Sequence, residues 1–248
     1  MVPKLRLDQR LVELGLVPSR SQATSWIKLG KVTVNDHVVS KAGALVSQQD
    51  KVILQASEQY VSRAGLKLAS VAELLRLDFA GKTVLDVGSS TGGFTDYALQ
   101  HGANKVIAVD VGTEQLHPTL RTDPRVDVHE KTNILNVEAD GSNGVEIDSP
   151  DLIVMDVSFV SVRDLLPHIV QHIADQDTEV IVMLKPQFEA GRGQVSKGVI
   201  KNDRIRRTIL QEFEQWARQY FLIRTKADSA VAGANGNRER FYLLEKLK

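Results

Sequence analysis

A chain of 248 residues has room for one full α/β domain and a small appendage, because domains typically hold about 100 to 200 residues. With 42% hydrophobic and 25% charged residues it can bury a sizeable core, so extended disorder is not the default. It contains no cysteine, which excludes disulfides, thiol catalysis and cysteine-ligated zinc and fits a reducing, cytoplasmic compartment.

The formal net charge of +0 hides an asymmetry. Residues 1–63 carry Lys4, Arg6, Arg10, Arg20, Lys28, Lys31, Lys41, Lys51 and Arg63 against Asp8, Glu13, Asp36, Asp50 and Glu58. A basic segment joined to an acidic remainder points to a nucleic-acid-binding module attached to something else. The opening Met1 to Arg6 leads into an amphipathic pattern, not the apolar stretch of an export signal, so no export is expected. The longest apolar runs, such as Val180 to Leu184, fall far short of the roughly 20 residues of a membrane helix, and no membrane partner is expected.

Leu5, Leu7, Leu11, Leu14 and Leu16 recur at roughly helical spacing and predict a first helix; Pro18 and Ser19 end it and cap a second that carries Ala23, Trp26 and Ile27. Beyond Gly30 the pattern alternates, with Val32, Val34, Val38 and Val39 around Asn35-Asp36, then Val46 and Lys51 to Leu54, which predicts a small β hairpin and further strand. After a polar linker around Gln55 to Ser62, Ala64 to Leu77 reads as a helix with Lys67 near its start. Four compact apolar runs follow at helix-length intervals: Val84 to Val87, Val106 to Asp110, Leu152 to Asp156 and Val180 to Lys185. Short continuous runs of this kind predict a parallel sheet covered on both faces, a Rossmann-like α/β fold. A shorter strand is expected at Val126 to His129, and the late helix with Ile205, Ile209, Phe213 and Trp216 reads as core.

Three of these strands end on a charged residue, Asp110, Asp156 or Lys185, and the carboxyl ends of an open α/β sheet line its ligand crevice. The segment Asp86-Val87-Gly88-Ser89-Ser90-Thr91-Gly92-Gly93 follows the first strand and opens a helix at Phe94, so backbone N–H groups there can approach a ligand closely. Asp110, about 20 residues beyond the glycines, can accept hydrogen bonds from a ribose diol, which narrows the ligand to an adenosine-type cofactor without choosing among them. Asn133 either lies near the adenine or caps a turn. His168 and His172 have metal-pair spacing, but no acidic companion completes a motif and no metal site is expected.

The pattern of Arg6-Leu7-Asp8, Ser19 to Ala23, Ile27 to Asn35 and Asp50-Lys51-Val52 resembles the S4-like RNA-binding domain. That resemblance implies a small α+β module over residues 1–58, with Arg6, Arg10, Arg20, Lys28 and Lys31 on RNA phosphates, contacts that give salt-dependent affinity with little sequence reading. Arg6-Leu7-Asp8 also matches a catalytic triplet of pseudouridine synthases, yet it sits inside the first helix of the small module and has no second copy.

Leu85 to Phe94 resembles the first motif of class I methyltransferases, particularly the FtsJ/RrmJ ribose methyltransferases. Together with Tyr60 to Leu68, Asp156-Val157-Ser158-Phe159, Leu184 to Glu189 and Gly236 to Glu239, it is similar to the TlyA family over essentially the full chain. The resemblance implies a class I methyltransferase domain over residues 59–248. Asp86, Gly88, Ser89, Ser90, Thr91, Gly92, Gly93, Phe94, Asp110 and Asn133 would hold S-adenosyl-L-methionine, and Lys67, Asp156, Lys185 and Glu239 would form a catalytic tetrad. Family members methylate the cytidine 2′-OH of ribosomal RNA or carry the name hemolysin, so ribosomal RNA or a ribosomal subunit is the expected partner and no obligate protein partner is evident.

A ribose hydroxyl is a poor nucleophile and needs its proton drawn away as attack proceeds. A lysine can do this only when neutral, a form favoured by burial or by neighbouring positive charge. On this reading Lys185 is the base, Lys67 disfavours its proton and holds the nucleotide, and Asp156 and Glu239 orient the two amines. Base N-methylation is the main alternative, since Asp156-Val157-Ser158-Phe159 stands where amino-methyltransferases place Asp/Asn-Pro-Pro-Tyr/Phe, although both prolines are absent. A membrane-active hemolysin and a cofactor-binding RNA chaperone without catalysis are the readings from other classes. Glycines and cations from Glu189 to Gly198 are expected to form either a clamp over RNA or an ordinary loop.

Overall fold

The computed structural model describes residues 4–17, 19–55, 60–139, 144–191, 193–233 and 236–247. Pro18, linker residues 56–59 with the expected boundary at 58, and Arg192 lie outside them. The chain begins with β1 (Lys4–Arg6), α1 (Leu7–Glu13) and α2 (Arg20–Lys28), followed by β2 (Val32–Val34), β3 (His37–Val38), β4 (Leu45–Ser47) and β5 (Val52–Leu54). Leu5, expected in the first helix, instead pairs with Val46 across β1 and β4. Arg6 is therefore the residue before α1, not a residue inside it. Leucine periodicity cannot mark this boundary, because one apolar residue in a three-residue strand fits the helical spacing too. The predicted hairpin forms between β2 and β3, with both Asn35 and Asp36 at positive φ, as a tight two-residue turn demands. Ser19 caps α2 by accepting the Gln22 N–H, which satisfies one of the donors a helix start leaves open.

The larger part holds α3 (Arg63–Leu75), β6 (Thr83–Val87), α4 (Gly93–Gln100), β7 (Lys105–Val109), α5 (Pro118–Arg121), β8 (Val126–His129), β9 (Val137–Glu138), β10 (Val145–Glu146), β11 (Leu152–Met155), α6 (Val162–His172), β12 (Glu179–Leu184), α7 (Pro186–Glu189), α8 (Asp203–Ala217), β13 (Phe221–Asp228) and β14 (Arg240–Lys246). Seven of these strands form one sheet in the order β13-β14-β12-β11-β6-β7-β8. Strands β6, β7, β8, β11 and β12 run parallel, as their buried apolar runs predict. The antiparallel β14, between β12 and β13, was not anticipated: its sequence mixes charge with aromatic residues and follows a glycine-rich segment.

Connections reverse between β6 and β11, so the crevice opens at the carboxyl ends of these two strands. The core continues from the small module into the large one, one buried cluster holding Leu7, Leu11, Trp26 and Ile27 together with Leu66, Leu68 and Val71. Gly65 and Gly93 let α3 and α4 touch: a Cβ on Gly65 would lie 2.6 Å from Tyr60 and 2.9 Å from the Gly93 carbonyl. That close approach sets the start of α3, two residues before Lys67, against the start of α4.

Candidate active site

Register places the tetrad. β12 and β14 pair antiparallel down to Leu184 opposite Arg240, so the next residues outward, Lys185 and Glu239, face each other at the sheet's carboxyl edge. Asp156 directly follows neighbouring β11, and Lys67 enters from α3, where it is 9% exposed. The Lys67 amine lies 2.6 Å from a Glu239 oxygen, and the Lys185 amine 2.5 Å from an Asp156 oxygen. Both contacts are close but lie outside hydrogen-bond angles, so they are ion pairs first. Lys185 also donates to the Ser158 hydroxyl at 2.7 Å.

Burial raises the Glu239 carboxyl above its usual range despite the downward pull of Lys67; the charge on Asp156 raises it further and Lys185 lowers it. Glu239 thus responds to all three partners, and four side chains scattered over 173 residues of sequence form one electrostatic unit.

The glycine loop lies beside this unit. Gly88, at φ +81°, passes so close to the next strand that a Cβ would sit 3.0 Å from the Asp156 carbonyl. Asp86, 1% exposed, accepts both the backbone N–H and the hydroxyl of Thr95 on one oxygen, at 2.9 and 2.7 Å. Its other oxygen is buried without a partner. Burial pushes this carboxyl up to about 7, helped by the charges of Asp156 and Asp110 and opposed by Thr95.

Two cavities meet here, sharing Gly88, Ser90 and Asp156. One, about 360 Å³, is lined by Arg63, Asp86, Ser89, Thr91 and Phe94 among others. The second, about 540 Å³, is lined by Asp110, Asn133, Val157 and Phe159 among others, and both fall in the range of small-molecule sites. Asp110 braces the loop by accepting the Ser90 and Gly112 N–H groups at 2.9 and 2.6 Å, which leaves a carboxylate two further acceptor positions. Asn133 both lines the cavity and caps the turn that follows it, accepting the Leu135 N–H. Gly92 and Gly93 shape the loop: Gly92 is at φ +90°, and a Cβ on Gly93 would meet the Ser62 hydroxyl.

The five cations expected on RNA do not share one setting. Arg6 and Arg20 both bond Asp8, whose side chain is 4% exposed. Arg10 turns inward, with 13% of its side chain exposed, onto Glu13 and the Gln48 carbonyl. Lys28 and Lys31 are exposed. His168 and His172 stack on each other, and His168 bonds the Val137 carbonyl.

Sequence reasoning passed over Phe159. It is 91% exposed, sits at φ +66°, and packs its ring 5.1 Å from that of Phe188. A bulky residue in the left-handed region is a genuine outlier, and such strain gathers at working sites. Arg63 was missed as well: it lines the smaller cavity and donates to the Ala232 carbonyl at 2.6 Å.

The model of the FtsJ-like methyltransferase family matches residues 60–246, and that of the S4 domain residues 5–52. The 16S/23S rRNA (cytidine-2′-O)-methyltransferase TlyA of Mycobacterium tuberculosis is 36% identical over 98% of this chain and 91% of its own length. The chain belongs to the TlyA family of FtsJ-like methyltransferases. Hemolysin A of Brachyspira hyodysenteriae, 38% identical over 95% of this chain and 97% of its own, is another relative. A solved structure of a hemolysin-named protein from Streptococcus thermophilus superposes with a TM-score of 0.70 at 35% identity, covering 100% of this chain and 90% of that one. As a TlyA-family methyltransferase the chain combines an S4 module with a mostly parallel α/β sheet. No helix among the described residues is long and apolar enough to cross a membrane.

Proposed function

We propose that this protein transfers a methyl group from S-adenosyl-L-methionine to a cytidine 2′-OH of ribosomal RNA, with residues 1–58 as the RNA-docking module and residues 59–248 as the methyltransferase. The observation that carries this reading is the pairing of Lys67 with Glu239 and of Lys185 with Asp156 beside the glycine loop. The two carboxylates orient the two amines, one of which, once neutral, can take the proton an alcohol must lose; N-methylation of a base gives no reason for paired lysines.

The residues present fit the cofactor. The unpartnered oxygen of Asp86 would accept from its amino group, the backbone at Gly88 to Gly93 with Phe94 would enclose its amino-acid portion, Asp110 would take the ribose diol and Asn133 would stand near the adenine. When bound, the cofactor supplies an activated methyl group on a sulfonium. Lys185, at the crevice edge between Asp156 and Ser158, takes the ribose proton in its neutral form; Lys67 holds the nucleotide, and Asp156 and Glu239 keep both amines in place. Phe159 offers a bare ring at the crevice mouth on which a nucleobase can stack, a contact worth about 1–3 kcal/mol per base. Arg6, Arg10, Arg20, Lys28 and Lys31 supply the phosphate side of RNA binding, and a ribosomal substrate implies a cytoplasmic setting.

The test is methylation of ribosomal RNA or isolated subunits with labelled cofactor, followed by nuclease digestion and mass analysis. A methyl group on the ribose of cytidine is expected; one on a base nitrogen transfers the assignment to an amino-methyltransferase.

A further inference from the structure

Glu189 has no part in the chemistry above, yet its carboxylate joins the two loops that carry it. Its side chain is only 2% exposed. It accepts the Ser161 hydroxyl at 2.6 Å and the Val162 N–H at 2.9 Å, with the Arg163 guanidinium 3.6 Å away. Ser161 in turn accepts the Arg163 N–H, which makes it the cap of α6. Glu189 itself ends α7, four residues after Lys185. One carboxylate therefore ties the segment after β11, with Asp156, Ser158 and Phe159, to the segment after β12, with Lys185 and Phe188.

This tie answers a physical problem. Phe159 is held at φ +66° with almost no burial to recover the strain, and such a conformation persists only where its surroundings over-determine it. Packing on Phe188 fixes one side of the ring; the Glu189 bonds to Ser161 and Val162 fix the chain two and three residues on. Burial keeps the Glu189 carboxyl above its usual range even against the donations from Ser161 and Val162 and the charge of Arg163.

We propose that Glu189 is a positioning residue: it latches the 158–161 loop to the turn after β12, and so sets Phe159 and Ser158 in register with Lys185. The proposal rests on the methyl-transfer reading for its kinetic consequence, but the latch itself can be seen without turnover. Among the seven phenylalanines, fluorine labelling with assignment by Phe159→Leu gives a resonance that reports on this ring. In Glu189→Ala that resonance should shift or broaden. Cofactor affinity by calorimetry should stay within about twofold, and kcat on RNA should fall about 10- to 50-fold. Glu189→Gln keeps an acceptor for Val162 and should restore both the resonance and most of the rate. Ser161→Ala, which removes one of the two bonds, should fall between them and serves if Glu189→Ala does not fold. An unchanged Phe159 resonance in Glu189→Ala overturns the latch, as does a Gln variant as impaired as the Ala variant. A wild-type protein that methylates no RNA overturns the functional reading and leaves the fluorine result to judge the latch.

Discussion

Asp8 in the small module and Glu239 in the crevice are both nearly sealed carboxylates, with side chains 4% and 3% exposed and cations in contact. Their acidities move in opposite directions. Burial pushes Asp8 up, but hydrogen bonds from Arg6 and Arg20 outweigh it and hold the group below its usual range. Burial pushes Glu239 up, and the amines of Lys67 and Lys185 do not offset it, with Asp156 adding to the rise. Two planar, permanently charged guanidiniums bonded to one carboxylate outweigh its burial, whereas amines shared between two acids do not. On the proposed mechanism, the difference separates a region held rigid from one where a proton is moved.

The largest expected effect is in the crevice. Lys185→Ala removes the proposed base, and loss of a positioned acid–base group typically costs about 10²- to 10⁴-fold. Methyl transfer should fall by that factor while calorimetry finds cofactor affinity unchanged within about twofold. Near-full activity removes Lys185 from the mechanism and reduces the tetrad to a structural ion-pair cluster.

The two carboxylates can then be set against each other directly. Asp8→Asn should destabilise the fold by about 1–2 kcal/mol, since bonds to charged partners are lost. The folded-state acidity of Asp8 is depressed, so its contribution is present above the ordinary carboxylate range and disappears as pH falls through the folded value. Glu239→Gln should keep or raise stability while lowering the methylation rate, as expected where function holds groups in unfavourable settings. Its folded-state value is raised, so stability from this group is present below the ordinary range and is lost as pH rises through the folded value. The difference in stability between wild type and each variant, followed by urea denaturation from about pH 2 to about pH 8, checks the opposite slopes: the Asp8 difference should shrink as pH falls below the ordinary carboxylate range and the Glu239 difference as pH rises above it, and parallel slopes would erase the contrast.

Asp86 is the intermediate case, buried like Glu239 but without a cation, and pushed up to about 7. If its free oxygen takes the amino group of the cofactor, the ionised form binds, and affinity should weaken as pH falls below about 7, approaching tenfold per unit. Calorimetry at pH 6 and pH 8 should show that loss in the wild type and a flat, weak response in Asp86→Asn.

Much of this was legible in the sequence, for reasons that also explain the rest. The parallel strands announced themselves because strands buried on both faces are nearly continuous apolar runs: Val180 to Leu184 is apolar throughout, and Val84 to Val87 is broken only by Asp86. Asp110, Asp156 and Lys185 stood out as charges ending such runs. The backbone of Phe159 carried no signal, since positive φ at a phenylalanine is imposed by the surroundings and not by its own preference. Glu189 looked like one more residue of a glycine-rich loop, because a carboxylate that serves a segment 28 residues earlier leaves no local pattern. Arg10 looked like its basic neighbours, and only the chain path turns it inward.

The smallest expected effects lie on the small module, and they test whether its cations are scaffold or contact. Lys28 and Lys31 are exposed, so replacing either with alanine should weaken RNA binding a few-fold and lower the slope of log affinity against log salt by roughly 0.7 to 0.9. Arg20 spends part of its charge on Asp8, and Arg20→Ala should combine a smaller change in slope with a loss of stability. Arg10, mostly covered and paired with Glu13, should show little change in slope. Filter binding from 50 to 200 mM salt separates these cases; equal slope changes at Arg10, Arg20 and Lys31 would mean that RNA pulls the guanidiniums away from their acids, and that the scaffold around Asp8 gives way on docking.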